Sequence, residues 1–238
     1  QLWAPDAARR GDTYYLYFPA KDRDGVFRIG VATAEHPAGP FTAQPEPIPG
    51  AYSIDPAVFT DDDGSSYLVT GGILGGQLQR WRDDVYTGVD AYPGLDEPAL
   101  APRIARLSDD LLSLAEPTRP LVLVDDEGRA LTSRDPNRFF EGAWISKVGD
   151  TYVFMYSNGD SHQLVHATGD SPYGPFTYRG VLLDPVIGWT THGSIVEWHD
   201  AWYLLYHDAE RSGRDHLRTV RMARLDLRPD GTFATVRR

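Results

Sequence analysis

The sequence predicts an all-β protein assembled from repeated propeller blades, and three observations predict it. A residue pair followed roughly ten residues later by an aromatic-rich strand occurs four times: Ala4-Pro5 before GDTYYLYF (11–18), Asp55-Pro56 before SSYLVTGG (65–72), Glu141-Gly142 before GDTYVFMY (149–156) and His192-Gly193 before DAWYLLYH (200–207). The interval repeats, because 51 residues separate Ala4 from Asp55 and again Glu141 from His192, while the middle interval is stretched to 86. Two echoes reinforce the period. Ala32-Thr33 leads to Pro37-x-Gly39-Pro40-Phe41 as Ala167-Thr168 leads to Pro172-x-Gly174-Pro175-Phe176, and RIARL (103–107) returns as RMARL (221–225). A period of roughly 40–50 residues with several strands per unit is the mark of propeller blades. The expected units are blades at about 1–52, 53–135, 136–186 and 187–238 of a single domain.

The elements follow in order. YYLYF, FRIGVATA, SYLVTGG, YVFMYS, QLVHAT, SIVEW and WYLLYH are short runs rich in Val, Ile, Tyr, Trp and Thr with period-two alternation, which suits strands. Between them, DRDG (22–25), DDDG (61–64), VGD (148–150), SNGD (157–160) and RSGR (211–214) supply the Gly and Asp that tight hairpin turns demand. The acidic, Pro-rich stretch from Asp83 to Pro102 reads as the long loop that extends the middle repeat.

Composition narrows the function. Apolar residues make up 41% of the 238 and aromatic residues 12%, enough for a substantial core. A net charge of −11 disfavours general affinity for nucleic acid or an anionic membrane, since both are bound through positive charge. A neutral ligand fits better. With no cysteine, disulfides, thiolate metal sites and a cysteine nucleophile are excluded. No apolar run approaches the roughly 18 residues that span a bilayer. If the blades surround an axis, the equivalent positions Ala4, Asp55, Glu141 and His192 converge on it, bringing two carboxylates and an imidazole into one pocket.

LWAPDA (2–7), SIDPAVFTDDDG (53–64), FEGAW (140–144) and TTHGSIVEW (190–198), in this order with the Gly-Pro-Phe segments between them, resemble glycoside hydrolase family 43. The resemblance runs from Leu2 to about Thr232 and implies a five-bladed β-propeller acting on xylan- or arabinan-derived oligo- or polysaccharide as a β-xylosidase or α-L-arabinofuranosidase. It implies an inverting mechanism with no required cofactor, in which an acid protonates the leaving oxygen and a base activates water from the opposite face of the sugar. On these motifs Glu141 is the general acid. Its proton must be held near neutral pH, and Asp55 is the neighbouring negative charge that raises its pKa and orients it. Trp3 and Ala4 resemble the wall of the sugar subsite, and Arg218, in HLRTV (216–220), the arginine that reaches a sugar hydroxyl. His192 resembles an axial histidine close to bound calcium or water. One imidazole alone is weak support for calcium, which prefers oxygen ligands.

One departure stands out. The family's base lies in an Asp-Pro pair of a first blade that precedes the WAPD segment, and here that segment begins at Trp3. Asp6 is out of register with the axial positions, and Asp135 and Asp184 read as loop aspartates. The expectation is therefore four visible blades, an absent first blade and a base missing from the visible chain, with an N-terminal segment or a second copy of the chain completing the propeller. Two other readings stay open: a catalytically silent carbohydrate-binding propeller, and a fructan-active relative prompted by Arg134-Asp135-Pro136. The substrate places the protein outside the cell or in the cytoplasm after oligosaccharide import.

Overall fold

The computed structural model describes residues 2–159, 161–188 and 192–237. Its strands in chain order are β1 (Asp6–Arg10), β2 (Thr13–Lys21), β3 (Phe27–Ala34), β4 (Thr42–Ala43), β5 (Ala57–Thr60), β6 (Ser66–Thr70), β7 (Trp81–Arg82), β8 (Val85–Tyr86), β9 (Arg103–Arg106) and β10 (Arg119–Pro120). There follow β11 (Leu123–Val124), β12 (Phe139–Val148), β13 (Thr151–Asn158), β14 (Leu164–Gly169), β15 (Phe176–Leu183), β16 (Gly193–Trp198), β17 (Ala201–Asp208) and β18 (Thr219–Leu225). Every run read as a strand is one. The fold is the all-β propeller type, and its blade sheets are β1-β2-β3-β4, β5-β6-β9-β10, β12-β13-β14-β15 with β11 added to its outer edge, and β16-β17-β18.

Two compact units divide these sheets. Residues 1–92 and 101–121 form the first, and residues 93–100 and 122–238 the second. In the first, Tyr15, Tyr17, Ile29 and Val31 pack with Leu68, Leu107 and Leu111 between the two sheets, and the Tyr17 hydroxyl donates to the Leu111 carbonyl at 2.7 Å. In the second, Val153, Met155 and Leu164 meet Ile195, Leu204 and Leu225. Each unit also ties the first strands of its two sheets together. The Val58 N–H donates to Asp6 Oδ2 at 2.7 Å, joining β5 to β1, and Trp144 Nε1 donates to the Ile195 carbonyl at 3.3 Å, joining β12 to β16.

The echoes in the sequence have a structural cause. Ala32-Thr33, Arg103–Arg106, Ala167-Thr168 and Arg221–Leu225 all lie on the third strand of their sheets. After two of these third strands the chain turns through Gly39 (φ +79°) and Gly174 (φ +70°). A side chain would be strained at either position and would stand 2.9 Å from the Phe41 N or 2.8 Å from the Phe176 ring, so the repeated Gly-Pro-Phe is a steric requirement. The long middle loop is shared: 81–86 pair as the β7–β8 hairpin, while 93–100 run with the second unit, where Ala99 N–H donates to the Leu131 carbonyl at 2.9 Å.

His166 on β14 pins the C-terminal segment. It is 1% exposed, its Nδ1 lies 3.2 Å from the Gly180 carbonyl, and the Phe233 N–H donates to its Nε2 at 3.4 Å. This arrangement requires the neutral ring. Burial pushes the His166 imidazole down to about 4. Below the usual histidine value the unfolded chain takes up a proton that the native chain refuses, so stability present above pH 6.5 is lost as pH falls towards 4. At about 1.36 kcal/mol per pH unit the group costs about 3 kcal/mol by pH 4. Urea midpoints measured from pH 7.5 to 4.5 are expected to fall steeply in the native sequence and less steeply in His166→Gln.

Candidate active site

In the first unit, Asp55 sits two residues before β5, the first strand of its sheet, and is 4% exposed. The turn that delivers it is unusual. Ser53 and Asp55 both adopt left-handed backbone, at φ +74° and +54°, conformations that Asp tolerates better than most residues. They are held there by the fully buried Ser53 hydroxyl, which accepts from the Gly72 N–H at 3.0 Å and donates to the Gly76 carbonyl at 2.8 Å. Gly76 leaves no room for a side chain, since a Cβ would stand 2.7 Å from Ile54 Cγ1. The short 3-10 turns at 74–80 that carry Gly76 are anchored in turn by buried Gln77, whose Oε1 accepts from the Phe27 N–H at 2.9 Å and whose Nε2 donates to the Gly25 carbonyl at 3.0 Å.

Trp3 stands against this loop. Its ring lies 4.8 Å from Phe27, and a Cβ on Gly75 would approach it to 2.9 Å, so Gly75 is the floor on which the half-buried indole rests. Ala4 follows, also half-buried. Asp6 is engaged elsewhere, tying β1 to β5 through Val58 as its register implied.

In the second unit, Glu141 is the third residue of β12 and half-buried. Its placement is irregular by construction. Phe139 pairs with Asn158, Glu141 with Ser157 and Trp144 with Met155, so a bulge falls on each side of Glu141, and Gly142 takes φ +70°. Bulges re-aim a side chain out of the regular alternation, and here they set one carboxylate apart from the apolar residues Phe139, Phe140 and Ala143, which are buried.

His192 directly precedes β16, half-buried. The pairing of Gly193 with Tyr206, carried one residue further, sets His192 opposite His207 on β17. Gly193 can only be glycine, because a Cβ would stand 2.6 Å from the Leu205 carbonyl oxygen. Burial, then the charges of Arg218 and His192, hold the His207 imidazole down to about 4, so it is neutral at physiological pH. Arg218 is exposed one residue ahead of β18, with its Nε donating to the Asp215 carbonyl at 2.9 Å. The residues Thr190 and Thr191 of the TTHGSIVEW motif lie outside the described residues.

The structure therefore puts Ala4, Asp55, Glu141 and His192 each at the start of the first strand of a sheet, with Trp3 and Ala4 in the same unit as Asp55, and His192 and Arg218 in the same unit as Glu141. Asp184 is exposed and accepts from Gln163 Nε2 at 3.4 Å, while Asp135 lies in the turn before β12. No group of three or more His, Asp or Glu able to hold a metal occurs among the described residues. Ser157, the register partner of Glu141, and His207, whose imidazole feels the charge of His192, were not singled out from the sequence. The signal was available: both directly follow the tyrosine that closes the aromatic strand of their repeat, in YVFMYS and WYLLYH.

The model for glycosyl hydrolases family 43 matches residues 1–233. Xylosidase/arabinosidase 43A of Humicola insolens is 52% identical over 244 residues, covering 99% of this chain and 75% of the relative. A beta-xylosidase of Xylanibacter ruminicola is 47% identical over 238 residues, covering all of this chain and 75% of the relative. Among solved structures, the GH43_1 enzyme from Xanthomonas citri complexed with xylotriose is 54% identical with a TM-score of 0.96, covering 99% of this chain and 72% of that one. Propeller blades of this kind, with such relatives, define a glycosidase. The chain belongs to glycoside hydrolase family 43.

Proposed function

We propose that the protein releases xylose or arabinose from the ends of xylan- or arabinan-derived chains, as an exo-acting β-xylosidase and/or α-L-arabinofuranosidase that inverts the anomeric centre. The observation that carries this reading is kinship along the whole chain, at 47–54% identity, with a xylosidase/arabinosidase, a beta-xylosidase and an enzyme solved with xylotriose. Glu141 gives its proton to the glycosidic oxygen as the C–O bond breaks, and a water whose own proton goes to a base adds to the anomeric carbon from the opposite face. Asp55, as the neighbouring carboxylate in this reading, keeps Glu141 protonated before the reaction by disfavouring a second negative charge. Its burial and the Ser53 clamp support that role. Trp3 offers an apolar face for a sugar ring, and Ala4, His192 and Arg218 are assigned as further sugar contacts on the family's motifs. Asp6, Asp135 and Asp184 are not assigned the base: one is tied to Val58 and the others belong to a turn and to an exposed loop position.

The test follows xylobiose and an arabinose-bearing xylo-oligosaccharide by proton NMR with the intact protein. Release of monosaccharide whose first-formed anomer is opposite to the substrate's is expected. Retention of configuration, or binding of xylotriose with no release at all, would overturn the reading, the latter in favour of a silent carbohydrate-binding propeller.

A further inference from the structure

Ser157 is fully buried at the end of β13, and its hydroxyl finds no hydrogen-bond partner among the described residues. A buried polar group without a partner is a standing cost to the fold, and native proteins hold few of them. Nothing in the packing asks for a hydroxyl here. The same face of β13 continues as Met155 and Val153, both in the apolar core with Ile195 and Leu204, and the neighbour of Ser157 on β14 is Leu164. Alanine would suit these surroundings better. What distinguishes the position is its other neighbour. Ser157 is the register partner of Glu141, and directly opposed residues of an antiparallel pair stand with Cβ atoms roughly 5 Å apart. The two bulges fall on either side of this pair and leave it paired.

We propose that Ser157 is a positioning residue for Glu141: a hydroxyl kept buried and uncommitted so that it donates to the Glu141 carboxylate as the acid gives up its proton. The inference rests on the reading of Glu141 as the acid. In the step itself the proton passes from Glu141 to the glycosidic oxygen while that oxygen takes the electrons of its bond to the anomeric carbon. Ser157 loses nothing and only turns its O–H towards the new charge. A hydrogen bond to the ionised form stabilises that form, so the hydroxyl eases proton release without touching the sugar. Two further titratable groups belong to the neighbouring sheet of the same unit, His192 ahead of β16 and His207 on β17.

Ser157→Ala is expected to lower kcat/KM on xylobiose by about 10-fold, a typical worth for one hydrogen bond to a charged group, and to move the basic limb of the pH–rate profile upward, because Glu141 then ionises less readily. Its Tm should stay unchanged or rise, since the substitution removes an unpartnered hydroxyl. Ser146, whose buried hydroxyl is likewise unpartnered among the described residues but which pairs with Val153 further along β12, is the control: Ser146→Ala should keep native activity and an unmoved limb. Native kcat/KM with an unmoved limb in Ser157→Ala would overturn the proposal, as would activity and Tm falling together, which marks a packing role. Glu141→Gln is measured alongside. If it is fully active, the acid assignment fails and takes this inference with it; if it is inactive while Ser157→Ala behaves as native, only the Ser157 proposal fails.

Discussion

Glu141→Gln is expected to slow hydrolysis of xylobiose by about 10³-fold while leaving xylotriose binding within about 3-fold, because glutamine keeps the shape of the side chain and removes only its proton. General acid catalysis contributes typically 10²–10⁴-fold, and a loss of that size corresponds to about 4 kcal/mol of barrier. The structure gives reason to expect a clean result. The side chain is half-buried between two bulges, at a point where β12 has already left regular alternation, so an isosteric amide asks nothing new of the fold. Steady-state kinetics and calorimetric titration with xylotriose check both halves of the expectation.

Asp55→Asn is expected to lower kcat/KM by about 10²-fold and to move the basic limb of the pH–rate profile to lower pH by about one unit. The sign follows from the charge. On the proposed reading Asp55 opposes ionisation of Glu141; without its charge the acid loses its proton sooner, and the active, protonated fraction disappears at lower pH. This is opposite to the direction expected for Ser157→Ala, so the two variants separate a group that holds the proton on from one that eases it off. Asparagine is the right replacement because residue 55 sits at φ +54°, where Asn is tolerated. Asp55→Ala adds a backbone penalty of about 1–2 kcal/mol, visible as a lower Tm. A loss of activity in Asp55→Ala alone would mean that the turn, and not the charge, is what Asp55 provides.

Much of this was legible in the chain. The four aromatic strands, the glycine-containing turns and the Gly-Pro-Phe echoes follow from local requirements: β-branched and aromatic residues in the strands, and left-handed backbone at Gly39 and Gly174. The equivalence of Ala4, Asp55, Glu141 and His192 was readable because a repeat brings the same chain position to the same place in each sheet. Less legible were features set by strand pairing. The bulges around Glu141 depend on how β12 registers against β13, and the left-handed turn at Ser53 and Asp55 depends on a loop 19 residues further on, through the Gly72 N–H. Gly75 and Gly76 are each small because Trp3 or Ile54 occupies the space a side chain would take. Gln77 gave no sign that its amide would bridge to the β2–β3 turn. Such roles are fixed by long-range packing, which no local pattern encodes.

The central claim is that Glu141 is the proton donor to the leaving group, and the leaving-group dependence of Glu141→Gln tests it most directly. Across β-xylosides running from 2,4-dinitrophenol to xylose as leaving group, the variant should approach native rates with the most acidic phenol, which departs unaided, and fall furthest behind with xylobiose. A uniform loss across the series, or none, would contradict it.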